Sequence, residues 1–263
     1  MKSKITSTVL RKYMLKLVKL QTGKMLHKYH ELAATKPRDT SITYCSGVSG
    51  EPYTTMVTLL VYSIILSEES IPLMRIGYDG KAPEHLRKFD FIELFQVQYE
   101  TNDWPERTLK FWNFVGKPQS MLGAKTELSV WLDSDIFLLR SIRSLFTGNA
   151  FIPTDDRVGG GIYCLEQAIK EAFYCEVLAS QKRFNIRSDR PCMQAAIDNL
   201  QLEYRALPDC DMEFMQLEQL RRNDSIRGQV DGRYWMHLSR GKTRNPFYVI
   251  VWARHILRLL AID

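Results

Sequence analysis

The chain has 263 residues, 45% of them apolar and 25% charged, which suits a soluble protein of one large α/β domain or two small ones. Its net charge of +6 sits in one place: residues 1–30 carry eight Lys and Arg and no acid, so +6 less +8 leaves −2 for the other 233 residues, which argues against a nucleic-acid-binding body. Cysteines 45, 164, 175, 192 and 210 form no C-x-x-C pair, no apolar run is long enough to span a bilayer, and the N-terminus lacks a signal-peptide core; a reducing, cytoplasmic setting is expected.

Residues 3–28 read as a helix, with Ile5, Val9, Tyr13, Leu17 and Leu20 on one face and Lys12, Lys16 and Lys19 on the other. Such a basic helix can lie on the inner, anionic face of a membrane as a peripheral contact, or pack on its own domain with a solvated lysine face. Residues 35–40, around Lys36-Pro37, read as a linker. A short strand at 42–45, the small-residue loop Ser46-Gly47-Val48-Ser49-Gly50 and an apolar helix over 56–67 make the first βα unit of a nucleotide-binding sheet. A second strand at 71–78 ends in Asp79-Gly80; a short helix at 83–88 and a third strand at 91–98 follow. The helix over 107–121 is interrupted at Lys117-Pro118, where the lysine reads as a solvated residue at a kink.

Residues 128–139 form an apolar run, then Asp133-Ser134-Asp135, then a second apolar run. The first run has the length and content of a buried parallel strand, and the carboxyl end of such a strand is where open α/β sheets bind ligands. Two carboxylates at i and i+2 can approach one hard cation if the chain turns there, and Mg²⁺ or Mn²⁺ takes oxygen ligands. The plainer alternative is an aspartate pair in a strand-to-helix loop, one residue capping a short helix at 140–146. A strand at 150–153 is followed by Gly159-Gly160-Gly161, which either let a ligand approach the backbone or mark a turn. An amphipathic helix covers 168–183, and another starts at Ser188-Asp189-Arg190-Pro191 with Ser188 or Asp189 as its cap. After a late strand at 202–207, the last strand, 233–239, carries His237, a core residue or a ligand, and runs into Arg240-Gly241-Lys242. Residues 246–262 are apolar-rich but broken by Arg254, His255 and Arg258; they lie on a membrane surface or pack on the domain.

The pattern Leu132-Asp133-Ser134-Asp135-Ile136 between apolar runs, followed by Ser144-Leu145-Phe146, resembles the D-x-D segment of nucleotide-sugar-dependent glycosyltransferases of the GT-A fold, family 8 and its relatives above all. The resemblance covers about residues 40–243 in the right order. It implies an α/β fold with a Rossmann-like, mixed, mostly parallel sheet flanked by helices over residues 39–245. An N-terminal amphipathic arm (1–38) and a C-terminal apolar helix (246–263) would flank that domain. It further implies that Ser46, Gly47 and Tyr53 hold the nucleoside, although the Asp or Asn usual in this loop is missing. Lys117, Gly241 and Lys242 would meet the diphosphate, and Asp133, Asp135 and His237 would hold Mn²⁺ or Mg²⁺, with Ser134 between the acids. Gly160 and Gly161 would lie beneath the transferred sugar. Asp189 and Arg190 would face the anomeric carbon and the acceptor, Arg190 standing where Gln is usual. Thr243-Arg244-Asn245-Pro246 follows Lys242 in place of the expected Pro and Trp.

The implied partners are a nucleotide-diphosphate sugar donor and a glycan or lipid-linked acceptor, with an anionic membrane surface and no nucleic acid. Breaking a nucleotide–sugar bond develops negative charge on the diphosphate, which a divalent cation stabilises as a Lewis acid and a lysine as a fixed charge. Two rivals compete with this reading. A D-x-D phosphohydrolase would use Asp133 as nucleophile and Asp135 as acid, but it wants Thr or Val where Phe137 stands. A non-catalytic membrane-surface binding module on a transferase-like fold would bind liposomes without hydrolysing any donor.

Overall fold

The computed structural model describes residues 25–50, 53–98, 112–153, 157–184, 188–208, 211–213 and 234–237. Most of the basic arm, Gly241, Lys242 and the apolar segment 246–262 lie outside the described residues.

Helix α1 (residues 25–35) leads into strand β1 (Arg38–Ser49), helix α2 (Tyr53–Ser67), strand β2 (Ile71–Asp79) and strand β3 (Ile92–Gln96), with a 3₁₀ turn at Glu84–Lys88. A π-helical turn (Trp112–Gly116) runs into helix α3 (Lys117–Gly123) and strand β4 (Leu128–Leu132). Then come strands β5 (Ile136–Leu138), β6 (Ala150–Pro153) and β7 (Val158–Glu166), and helices α4 (Lys170–Phe184) and α5 (Asp189–Leu200). The short strands β8 (Arg205–Ala206), β9 (Asp211–Glu213) and β10 (Trp235–His237) complete the described chain.

Seven strands form one sheet in the order β3-β2-β1-β4-β7-β6-β8. The β1–β2, β1–β4, β2–β3 and β6–β8 pairs are parallel, and β7 runs antiparallel to both β4 and β6. This is the mixed, mostly parallel α/β sheet expected. A second sheet, β5-β10-β9, takes the last strand, which the sequence left unplaced.

Each face of the main sheet buries its own core. Ile42, Tyr44 and Val48 of β1 pack with Val130 and Leu132 of β4 under α2, whose residues from Thr55 to Ile65 are all buried. A helix apolar on every side has no solvent face, so it is enclosed by its neighbours. On the other face Cys45, Trp131, Tyr163 and Leu165 pack under α3, α4 and α5 with Met121, Phe173 and Met193. Helix α1 belongs to the first core: Tyr29 is buried and stacks on Tyr62 of α2 with ring centroids 4.2 Å apart. Lys36 then donates to the carbonyls of Leu66 at 3.4 Å and Glu68 at 2.6 Å. Residues 25–35 therefore pack on the domain. Among the described residues no helix is long and apolar enough to cross a membrane.

Three local readings change. Residues 38–40 and 46–49, expected as linker and loop, extend β1, where ladder bonds to β2 at Arg38, Asp39 and Ser46 to Ser49 outweigh turn preference. Lys117-Pro118 opens α3 and does not break it; Pro118 lies in the first turn, where its missing N–H costs nothing. The helix expected at 140–146 is a three-residue 3₁₀ turn, Arg143–Leu145.

Glu68 ties the end of α2 to the sheet. Its buried Oε1 accepts from the Tyr44 hydroxyl at 2.9 Å and the Ile142 N–H at 3.1 Å, and Oε2 accepts from the Ser141 hydroxyl. Burial raises its carboxyl above the usual glutamate range, against the opposing pull of those donors. A raised carboxyl binds its proton more readily in the folded state, so its contribution is fullest at low pH and falls as pH rises from about 4.5. Glu68→Gln keeps the Oε1 acceptor; relative to this variant, the native chain should gain stability as pH is lowered from about 7 to about 5 in urea titrations. Glu68→Ala strands two buried donors and should cost about 3 kcal/mol at pH about 7, and more at pH about 5. Parallel pH dependence of native and Gln chains would contradict the assignment.

Candidate active site

From β1 the chain goes to β2 and β3 on one side, then crosses to β4 on the other. That reversal opens a crevice at the carboxyl ends of β1 and β4, where open α/β sheets take their ligands. Asp133 stands immediately after β4 at this point. Its N–H donates to the Gly161 carbonyl at 2.9 Å, and its own carbonyl accepts the Ile136 N–H at 2.9 Å. The aspartate pair is therefore a tight turn between two strands and caps no helix. Ser134 and Asp135 are buried within the turn, Asp135 to 1% exposure, while the Asp133 side chain keeps 29% of its surface.

Behind the turn lies a buried ionic cluster. Lys117, the first residue of α3, donates from Nζ to the Gly160 carbonyl at 2.9 Å and to Asp189 Oδ2 at 2.8 Å. Asp133 Oδ1 is 3.4 Å from the same nitrogen and also accepts the Trp131 indole N–H at 2.6 Å. The ammonium stands 5.2 Å over the Trp131 ring. Burial pulls the lysine's pKa down, but the charges of Asp133 and Asp189 outweigh it and hold the ammonium above the usual lysine value. It stays charged at any physiological pH.

Asp189 opens α5, and Ser188 before it makes no side-chain cap bond. The Asp189 carboxylate, weighed as cap or sugar contact, turns to Lys117. Gly160 makes room for it, since a Cβ there would lie 3.1 Å from Asp189 Oδ2. Beneath the cluster the Tyr163 and Tyr174 hydroxyls share a 2.6 Å hydrogen bond, and the Tyr163 ring stacks on Phe151. Burial first, then Tyr174 and the nearby Asp189 and Asp133 charges, push the Tyr163 phenol well above its ordinary value.

The fold thus brings Lys117, Asp133, Gly160 and Asp189 into contact, with Gly161 joined through its carbonyl. Ser46 and Gly47 lie inside β1, both buried, and the Ser46 hydroxyl has no hydrogen-bond partner among the described residues. Tyr53 starts α2, and Asp79 ends β2 in register with Ser49. Arg190 is exposed beside Asp189. In the second sheet the backbone of His237 stands opposite Ile136, one residue from Asp135. Among the described residues no three His, Cys, Asp or Glu side chains converge as metal ligands. Trp131 and Tyr163 were missed as site residues; the signal was that a buried indole N–H or phenol needs a partner.

Two solved glycosyltransferases share this fold. The glycosyltransferase GlyE of Streptococcus pneumoniae matches with a TM-score of 0.53 at 11% identity, over 76% of this chain and 54% of its own. The chain thus spans about half the length of GlyE. The galactosyltransferase LgtC, in complex with donor and acceptor sugar analogues, matches with a TM-score of 0.52 at 8% identity, over 74% of this chain and 86% of its own. The GT-A, Rossmann-like arrangement is the shared feature. No protein-family model and no curated protein sequence matches the chain.

Gly160→Ala puts a methyl group against the Asp189 carboxylate and should cost about 1–3 kcal/mol in thermal denaturation. An unchanged melting temperature would contradict the close approach of Asp189 to β7.

Proposed function

We propose that this protein transfers a glycosyl group from a nucleoside-diphosphate sugar to a hydroxyl of a glycan or lipid-linked acceptor. The observation that carries the reading is the aspartate turn at the switch-point crevice of a GT-A sheet, backed by the Lys117–Asp189 pair. The acceptor class draws support from LgtC, which was solved with donor and acceptor sugar analogues.

By their chemistry, two carboxylates and an imidazole suit Mn²⁺ or Mg²⁺. Asp133 and Asp135 offer hard oxygens from one turn, and β10 brings the backbone of His237 alongside it. These three residues are the proposed ligands, with the third ligand supplied from beyond the two acids. When bound, the cation stabilises the charge that develops on the departing diphosphate.

The chain's own groups divide the remaining work. Ser46, Gly47 and Tyr53, at the carboxyl end of β1 and the start of α2, receive the nucleoside. The backbone of Ser134, Gly160 and Gly161 lines the floor under the sugar. Asp189 and Arg190, at the start of α5, face the transferred group and the acceptor. Lys242, with Gly241 beside it, is the candidate for the fixed charge at the diphosphate.

Calorimetric titration of nucleoside diphosphates, with and without Mn²⁺, tests the binding half of this reading. Tighter binding with the metal is expected, and equal affinity in both removes the metal from the account. Asp135→Ala should lower turnover of an identified donor at least about 100-fold, the equivalent of about 3 kcal/mol of lost charge stabilisation. Turnover equal to the native chain's would overturn the assignment.

A further inference from the structure

A lysine that binds a diphosphate must have N–H groups free to reach it, and Lys117 has none to spare. An ammonium carries three donors. Two are taken at hydrogen-bond distance, by the Gly160 carbonyl at 2.9 Å and Asp189 Oδ2 at 2.8 Å. The third direction faces Asp133 Oδ1 at 3.4 Å, and the fourth side of the nitrogen is its own stem. The side chains of Lys117 and Asp189 are only 5% and 10% exposed. Turning the ammonium toward a phosphate would leave a buried carboxylate without its counter-charge, which is strongly unfavourable.

The lysine's backbone is held as firmly as its tip. Lys117 follows directly on the π-helical turn, and Ser120, one turn along α3, donates to the Gly116 carbonyl at 2.8 Å and lies 3.4 Å from the Ser46 carbonyl of β1. At β2, Gly77 admits α3 closely: a Cβ there would lie 2.9 Å from Phe95 and 3.0 Å from the Ser120 hydroxyl. The ammonium is thus delivered from a fixed helix to a fixed point between β7 and α5.

We propose that Lys117 is a positioning residue that acts through Asp189 and makes no contact with the donor. It fixes the Asp189 carboxylate, and with it the start of α5, against β7 and the aspartate turn. The inference rests on the transferase reading of the site for its functional consequence, while the clamp itself stands on geometry alone.

A double-mutant cycle on the full chain decides it, using the native protein, Lys117→Met, Asp189→Asn and the double variant. Thermal denaturation reads the clamp. Lys117→Met should lower the melting temperature by roughly 10 °C, and adding Asp189→Asn should restore at least about half of that loss, because the buried charges then leave as a pair. Binding of UDP, GDP, ADP and CDP with Mn²⁺ reads the donor contact. The double variant should bind the preferred diphosphate within about threefold of Asp189→Asn, and its kcat and KM should match those of Asp189→Asn equally closely. Where Lys117→Met does not fold, folding of the double variant itself shows the coupling, its failure to fold overturns it, and its comparison with Asp189→Asn still reads the donor contact.

Diphosphate affinity about tenfold or more below that of Asp189→Asn would mean a lost ammonium–phosphate contact and would overturn the proposal. So would additive losses of melting temperature, or a Lys117→Met enzyme with native kcat, which would leave the lysine a purely structural part. If the native protein binds none of the four diphosphates, the transferase reading falls, and the thermal cycle alone judges the clamp.

Discussion

One ammonium group, shut away from water between a carbonyl and two carboxylates, is the constraint on which the rest of this site depends. Lys117 comes from α3, Gly160 from β7, Asp189 from α5 and Asp133 from the end of β4. Removing an ion of that size from water carries a penalty of several kcal/mol, recovered only when its partners are all in place. Each of the four elements must therefore dock correctly before any of the four groups is comfortable. The cluster acts as a check on the assembly of the whole carboxyl edge, and it leaves Asp133, the most exposed of its members, facing the crevice.

The sheet explains why the cluster stands where it does. With β1 and β4 side by side in its interior, the sheet carries the two cores on opposite faces. Glu68 pins the α2 side through Tyr44, Ser141 and Ile142, and Lys117 pins the α3 side through Asp189. Between those pins the turn at Asp133 is closed by two backbone hydrogen bonds, so the chain leaves the main sheet abruptly and enters β5. That exit brings β10, and the backbone of His237, to the side of the aspartate pair. A GT-A-like sheet, an aspartate turn and a third chain segment beside it are the arrangement from which the proposed transfer chemistry follows.

Much of this could be read from the residues in order. Two aspartates between apolar runs cannot both be core, so Asp133 and Asp135 announced a site, and the alternation of strand and helix announced an α/β sheet. The partnership of Lys117 with Asp189 was out of reach, because the two lie 72 positions apart and meet only through the order of the strands. Trp131 looked like one more core aromatic, since a strand pattern does not show where an indole N–H points. Ser46 to Ser49 looked like a loop because small residues favour turns, yet pairing with Ile76 to Asp79 of β2 keeps β1 extended. The last strand was legible, but the separate sheet it joins was not.

The most direct test is diffraction from crystals grown with Mn²⁺ and the preferred nucleoside diphosphate, recorded at the manganese absorption edge. The account predicts a single anomalous peak bounded by the carboxylates of Asp133 and Asp135 and the imidazole of His237, with the diphosphate on its open side and Lys117 still bonded to Asp189. A metal and nucleotide bound elsewhere on the molecule, or an aspartate turn that contacts neither, would contradict it.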